Sequence, residues 1–246
     1  MPVTARARIA TGLRALRRRL RHDRRGTALM EFAFTLPLVL TVGGWGTELA
    51  WLAITNLRIS QLALNLADTA SRVGASGSNG VTQLREADIN DTFTGIRLSS
   101  GTMALGANGR VILSSLENTK QSYDTDYTQR IHWQRCFGMK SGTGYDSSYG
   151  TAPPAAGTDA TQANAGTTTT TGMGDAGFKV MAPQNSSVMF VEINYRFQPL
   201  FGSLFVAPRI IHYSASLLVR DNRDFTQVYN PTDSAVTRST CDRYTA

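Results

Sequence analysis

The polar and apolar positions divide the chain into three stretches of different period. From Phe32 to Leu57 the sequence is apolar with one formal charge, Glu48. Twenty-six residues exceed the roughly 20 that a helix needs to cross a bilayer core. The run is too long for a secretory signal peptide and lacks a clear A-x-A cleavage site. Beyond it, "NLRISQLALNLADTASRVG" sets Leu57, Leu62, Leu64, Leu66 and Val73 among polar residues, with no Pro or Gly before Gly74. That pattern predicts a continuing helix that stops at "GASGSNG". A helix from Thr27 to Val73 would reach about 70 Å, its upper third standing clear of the bilayer. Pro37 removes a backbone donor and is expected to kink it near Ala33. Gly43, Gly44 and Gly46 either admit a close neighbouring helix or are simply tolerated in lipid.

After Gly80 the period changes. "VTQLREADINDTFTGIRLS" predicts a short amphipathic helix with Leu84, Ile89, Phe93 and Ile96 on its apolar face. Period-two segments follow. "GRVILSSLEN" is a first strand. "QRIHWQRCF" sets Ile131, Trp133 and Arg135 against His132, Gln134 and Cys136. "SVMFVEINYRF" sets Met189, Val191, Ile193, Tyr195 and Phe197 against Glu192, Asn194 and Arg196. "RIIHYSASLLVR" aligns Ile211, Tyr213, Ala215, Leu217 and Val219. The economical architecture is α+β: a long N-terminal transmembrane helix packed by an antiparallel β-sheet domain. The divisions are a basic leader (1–26), the transmembrane and extended helix (27–74) and an outer domain (81–246). Within the last, residues 141–177 are rich in Gly, Thr, Ala and Ser and nearly free of large apolar side chains. They are expected to form a flexible exposed loop, too polar to repay ordering. The stretch from Pro231 to Ala246 is expected to be irregular.

Charge adds a direction. The formal net charge is +7, but residues 1–26 hold nine arginines and one acid, a net of +8, and the rest of the chain nets −1. A basic tail can bind nucleic acid. Next to an apolar run it reads better as a topology signal that keeps this end cytoplasmic. The remainder lacks the basic footprint of a nucleic-acid binder. Cys136 and Cys241 are the only cysteines. On the far side of the membrane they can oxidise to one disulfide, worth roughly 4–5 kcal/mol for so long a loop on the chain-entropy model. The alternative is two unrelated buried thiols.

The candidate chemistry lies at the helix start, "RRGTALMEFAFTLPLVL". Glu31 enters the apolar run early, and an isolated carboxylate in hydrocarbon costs at least ~2.5 kcal/mol. No Lys or Arg follows it before Arg58. A cut between Gly26 and Thr27 would give Thr27 an α-amino group at i, with Glu31 at i+4 on the same helix face. The acid could then pair with its own amine or with that of an adjacent subunit, and the helix N-terminus also favours a negative group. Without a cut, Arg24 and Arg25 can reach toward Glu31 in an intact anchor. Glu48, about 32 Å along the helix from the Gly26–Thr27 junction, fits either a carboxylate snorkelling into headgroups or a polar contact with another subunit's helix.

"RRG" followed by "TALMEF" resembles the processing site of type IV prepilins of the Flp (tight adherence, Tad) class. Gly26, Glu31 and Phe32 match it; Phe32 stands where the major Flp pilins usually have Tyr. The length, with "EFAFTLPLVL" and "GTELAWLA" carrying Pro37 and Glu48, is similar to the TadE-like pseudopilins. "IHWQRCFG", "VEINYRFQPLF" and the late cysteine are similar to the outer half of such proteins. The resemblance implies a non-enzymatic minor pilin in the bacterial inner membrane, single-pass with its C-terminal domain outside. It implies cleavage after Gly26 by a prepilin peptidase, and partnership with other Tad pilins and pseudopilins through the N-terminal helix. Gly26 and Thr27 would be the processing site, and Glu31, Phe32 and Glu48 the assembly residues. An uncleaved, membrane-anchored binding or scaffold module is the alternative.

Enzyme motifs are not found: there is no G-x-S-x-G, P-loop or G-x-G-x-x-G context, and "TTTTTGMGDAG" lacks a lysine and a preceding strand. His22, His132 and His212 have no metal-ligand spacing, although a His132/His212 pair across strands stays open. No cofactor or metal is expected.

Overall fold

A computed structural model describes residues 16–19, 21, 26–77, 79–230, 232–233 and 235–245. Most of the basic leader, Arg24 and Arg25 included, therefore lies outside the described residues. The chain divides into two units, residues up to Ala50 and Trp51–Ala246. The division falls inside the first helix, α1 (Thr27–Arg72), which continues through Pro37.

In the first unit every residue from Gly26 to Gly43 is exposed. This helix is long and apolar enough to cross a membrane. Three of its threonine hydroxyls are satisfied from within the helix. Thr35 Oγ1 donates to the Glu31 carbonyl (2.9 Å), Thr41 Oγ1 to that of Pro37 (2.7 Å), and Thr47 Oγ1 to that of Gly43 (2.8 Å).

The second unit is a sheet with a helical layer on one face. After α1 come β1 (Ala75–Ser76), β2 (Thr82–Gln83), α2 (Glu86–Ser99), a 3-10 turn and α3 (Leu105–Asn108). The main strands are β3 (Gly109–Thr119), β4 (Thr128–Phe137), β5 (Thr167–Thr168), β6 (Ser186–Arg196) and β7 (Ile210–Leu218). They form one antiparallel sheet in the order β5-β4-β3-β6-β7. The α+β architecture and the four long strands agree with the hydrophobic pattern. The short edge strand β5, inside the threonine run, was not anticipated.

The main core lies between this sheet and α1–α2. In α1 the buried stripe is Ile59, Leu62, Ala63, Leu66, Ala67 and Ala70, spaced three and four apart as one helix face requires. The alanines let the helix axis approach the sheet. Leu57 and Leu64, which read as apolar helix positions, point outward. Arg223 closes the helix end. Its guanidinium donates to the carbonyls of Ala70, Ser71 and Val73 (3.2, 3.2 and 2.8 Å), where terminal carbonyls lack helical partners and a cation opposes the dipole.

The alternation predicted for β4 breaks at one residue. The β3–β4 register passes from Ser115↔Trp133 to Leu116↔Ile131, leaving His132 as the extra residue of a bulge. A bulge shifts the side-chain parity. Trp133 therefore joins the helix-side core and Ile131 the opposite one, with Leu116, Val188 and Phe190.

The largest departure from expectation concerns residues 141–177. They bury Ala156 and Met173, and Tyr149 and Ala152 pack on the second cluster. The expectation of a loop exposed throughout is therefore corrected at these residues. The apolar payload is small; hydrogen bonds to the sheet supply the rest. Ser147 Oγ (2.5 Å) and the Ser148 amide (3.0 Å) donate to Glu192, Asn194 Nδ2 donates to the Tyr145 carbonyl (2.7 Å), and Gln134 Nε2 to the Gly150 carbonyl (3.1 Å). On the polar face of β6, Glu192 and Asn194 are covered, and these buried groups are paired as burial demands.

Candidate functional site

The helix start is built from few parts. Gly26 is an exposed turn residue whose carbonyl accepts the Met30 amide at 3.1 Å, so the helical ladder begins at the predicted junction. Among the described residues a Cβ on Gly26 would meet nothing within 4 Å. Thr27 opens α1, and Glu31 follows one turn later, exposed. Phe32 is 58% exposed. Glu48 is fully buried. Glu31 and Glu48 are about 26 Å apart along the helix axis, so they do not form one site. Thr27 and Glu31 share a face.

Cys136 and Cys241 are bonded to each other, with Cα atoms 4.7 Å apart. Arg110 reinforces this tether from β3. It donates to the carbonyls of Gly138 and Arg243 (both 2.8 Å) and of Cys241 (2.6 Å), and its guanidinium lies over the Tyr244 ring. Burial lowers the Arg110 pKa, partly countered by Tyr244 and nearby acids. The Cys136 amide donates to the Ser239 carbonyl (2.7 Å), and that of Gly138 to Thr245 (2.8 Å). The C-terminal segment is thus strapped to β3 and β4, although it is irregular.

The outer domain also carries buried polar clusters that motif reading passed over. Arg135 makes a two-pronged ion pair with Glu86, both side chains fully buried: Nε meets Oε2 at 2.9 Å and Nη2 meets Oε1. This joins β4 to the first turn of α2. A signal existed in the sequence, because Arg135 shares an apolar strand face with Trp133, and such a charge requires a partner. His132 Nδ1 lies 2.9 Å from Glu117 Oε2, while Ser115 Oγ donates to Glu117 Oε1 (2.7 Å) and lies 2.9 Å from Ser187 Oγ. The acid sits between hydroxyl and imidazole. The triad arrangement that activates a serine has the imidazole in the middle; in this order Ser115 meets the carboxylate and not the imidazole, and the cluster braces the strands.

On the other face, Tyr149 donates to Asp175 Oδ1 (2.6 Å) and its oxygen lies 2.9 Å from His212 Nε2. His212 Nδ1 contacts Asn194 Oδ1. Burial, then the bond to Asp175, pushes the Tyr149 pKa up to about 12, which keeps the phenol protonated and suits a structural donor. His132 and His212 do not converge: β3 and β6 lie between their strands, and they face opposite sides of the sheet. His22 lies outside the described residues. Among the described residues no group of three or more His, Cys, Asp or Glu is placed to hold a metal ion.

No family model, curated protein or solved structure matches the chain.

Proposed function

We propose that the chain is a minor pilin or pseudopilin of a Tad-type assembly, held in the bacterial inner membrane until it is incorporated. A prepilin peptidase cuts after Gly26, and the sheet domain lies outside the cytoplasm. The observation that carries this reading is the junction: an exposed glycine at the first helical carbonyl, with Glu31 one turn beyond Thr27 on an exposed apolar helix. Cleavage exchanges the arginine cluster for one α-amine within reach of that acid, and the same amine can be offered to a neighbouring subunit's Glu31. In lipid such a pair replaces an unpaired charge and so sets the register between helices.

The support for an outer location is chemical. One disulfide closes the domain, and such bonds persist in oxidising compartments. Intact-mass measurement and N-terminal sequencing of membrane-extracted protein test the cut. A mature chain beginning at Thr27 is expected. A retained leader in cells with active peptidase would favour a permanent anchor carrying a scaffold domain. Glu31→Gln should insert normally and assemble poorly; normal assembly by that variant would remove the pairing argument.

A further inference from the structure

We propose that the β6–β7 loop, residues 198–208, is a second membrane contact that seats in the headgroup region beside Trp51 and prefers anionic lipid. This rests on the reading of α1 as a membrane anchor. The loop reads "QPLFGSLFVAP" and bends at Gly202, whose φ is +62°. It exposes Leu200, Phe201 and, at 75%, Leu204. Phe205 and Val206 face inward onto the core, and the Phe201 and Phe205 rings meet edge to face with centroids 5.7 Å apart. The outward apolar tip is thus braced from beneath. Adjacent exposed Leu and Phe side chains on one loop mark a contact surface, whereas scattered single ones do not.

The loop's position along the chain decides the partner. Trp51 Nε1 donates to the Gln198 carbonyl at 3.0 Å. Trp51 is the residue that follows the first unit. From Phe32 to Trp51 is a span of about 30 Å, the thickness of a bilayer's hydrocarbon core. Trp51 therefore falls at the water-facing edge, where indole rings concentrate, and the loop begins at the residue bonded to it. Charge points the same way. Arg196 and Arg209 flank the loop, both exposed, and the Arg58 guanidinium lies 5.8 Å from the Trp51 ring centroid. Residues 196–210 contain no acid. Apolar side chains ringed by arginines match a lipid surface bearing negative headgroups.

The test uses the full chain reconstituted in vesicles of mixed phosphatidylglycerol and phosphatidylcholine. An environment-sensitive fluorophore is attached at Leu204→Cys; both native cysteines are held in the disulfide. Leu98→Cys, on the exposed face of α2, and Val39→Cys, inside the apolar run, are the references. The expected result is a blue-shifted emission at position 204, quenched by nitroxide on shallow lipid positions and shielded from iodide relative to position 98. Position 39 should respond to deep nitroxide. Iodide access at 204 equal to that at 98, with position 39 still quenched, would overturn the loop contact and leave the anchor standing. Shielding from iodide without nitroxide quenching would assign the loop to a protein partner and overturn the proposal. No lipid quenching at position 39 would defeat the anchor reading and this inference together. Vesicles of phosphatidylcholine alone should weaken the quenching at 204; unchanged quenching would overturn the preference for anionic lipid.

Discussion

From Thr27 to Ala50, α1 turns Leu, Val and Phe side chains outward, whereas from Trp51 to Arg72 it turns a stripe of Ile, Leu and Ala to the sheet. The two halves form one unbroken helix. In the first half the apolar side chains surround the axis, so no face is distinguished, and internal threonine bonds satisfy the hydroxyls. In the second half the apolar residues recur every three or four positions and the polar ones fill the remaining face. The lesson concerns solvent: an all-round apolar surface suits a medium that is apolar on every side, and a stripe suits a partner on one side only.

The contrast can be broken most forcefully at the packed half's support. Glu86→Ala strands the Arg135 guanidinium in the core and should destabilise the outer domain by about 3–5 kcal/mol, read as a large fall in the unfolding midpoint of the detergent-solubilised chain. A small fall would mean that the buried pair is not what locks α2 to β4. Cys136→Ser, which leaves Cys241 unpaired, should cost about 2–5 kcal/mol, and protease should then trim the C-terminal segment first. If trimming is unchanged, Arg110 and the backbone bonds alone hold the strap.

A matched pair sharpens the comparison directly. Leu66→Ala, in the buried stripe, should cost about 2–5 kcal/mol through cavity formation. Leu38→Ala, on the exposed run, should move domain stability by no more than about 0.5 kcal/mol. Equal effects in the same thermal scan would erase the distinction between the halves.

The smallest effect concerns pH. Burial raises the Glu192 pKa, against the hydrogen bonds from Ser147 and Ser148. The folded chain therefore holds this proton more tightly than the unfolded chain. Stability from this group is fully present below the unfolded pKa and is lost as pH rises through the folded one. Glu192→Gln should remove that decline, so the variant gains on the parent chain as pH rises through the mildly acidic range. A constant difference between the two across that range would show that Glu192 does not titrate differently on folding.

Much of the fold was legible because period carries burial. The four long strands and α2 followed from alternation and from Ile89, Phe93 and Ile96. Three features escaped for identifiable reasons. His132 could not be recognised as a bulge, since an inserted residue leaves no mark in a strand of mixed polarity. The cover over Glu192 and Asn194 was hidden because it is made by serine, tyrosine and backbone groups, which look like loop in any arrangement. Arg110 and Arg223 clamp carbonyls that belong to distant segments, and carbonyls have no signature in side-chain sequence. The candidate site at the helix start was fully local: Gly26, Thr27 and Glu31 lie within two turns, so spacing alone placed them.

The sequence by itself determined where this chain is apolar on all sides, where it alternates, and which acid stands one turn from a glycine junction. Those are properties of neighbours along the chain, set by helix and strand periods. Only the tertiary structure decided that the polar side of the sheet is roofed, that Arg135 finds Glu86, and that the "QPLFGSLFVAP" loop meets Trp51. These depend on contacts between residues far apart in the chain, where burial and pairing are settled by packing.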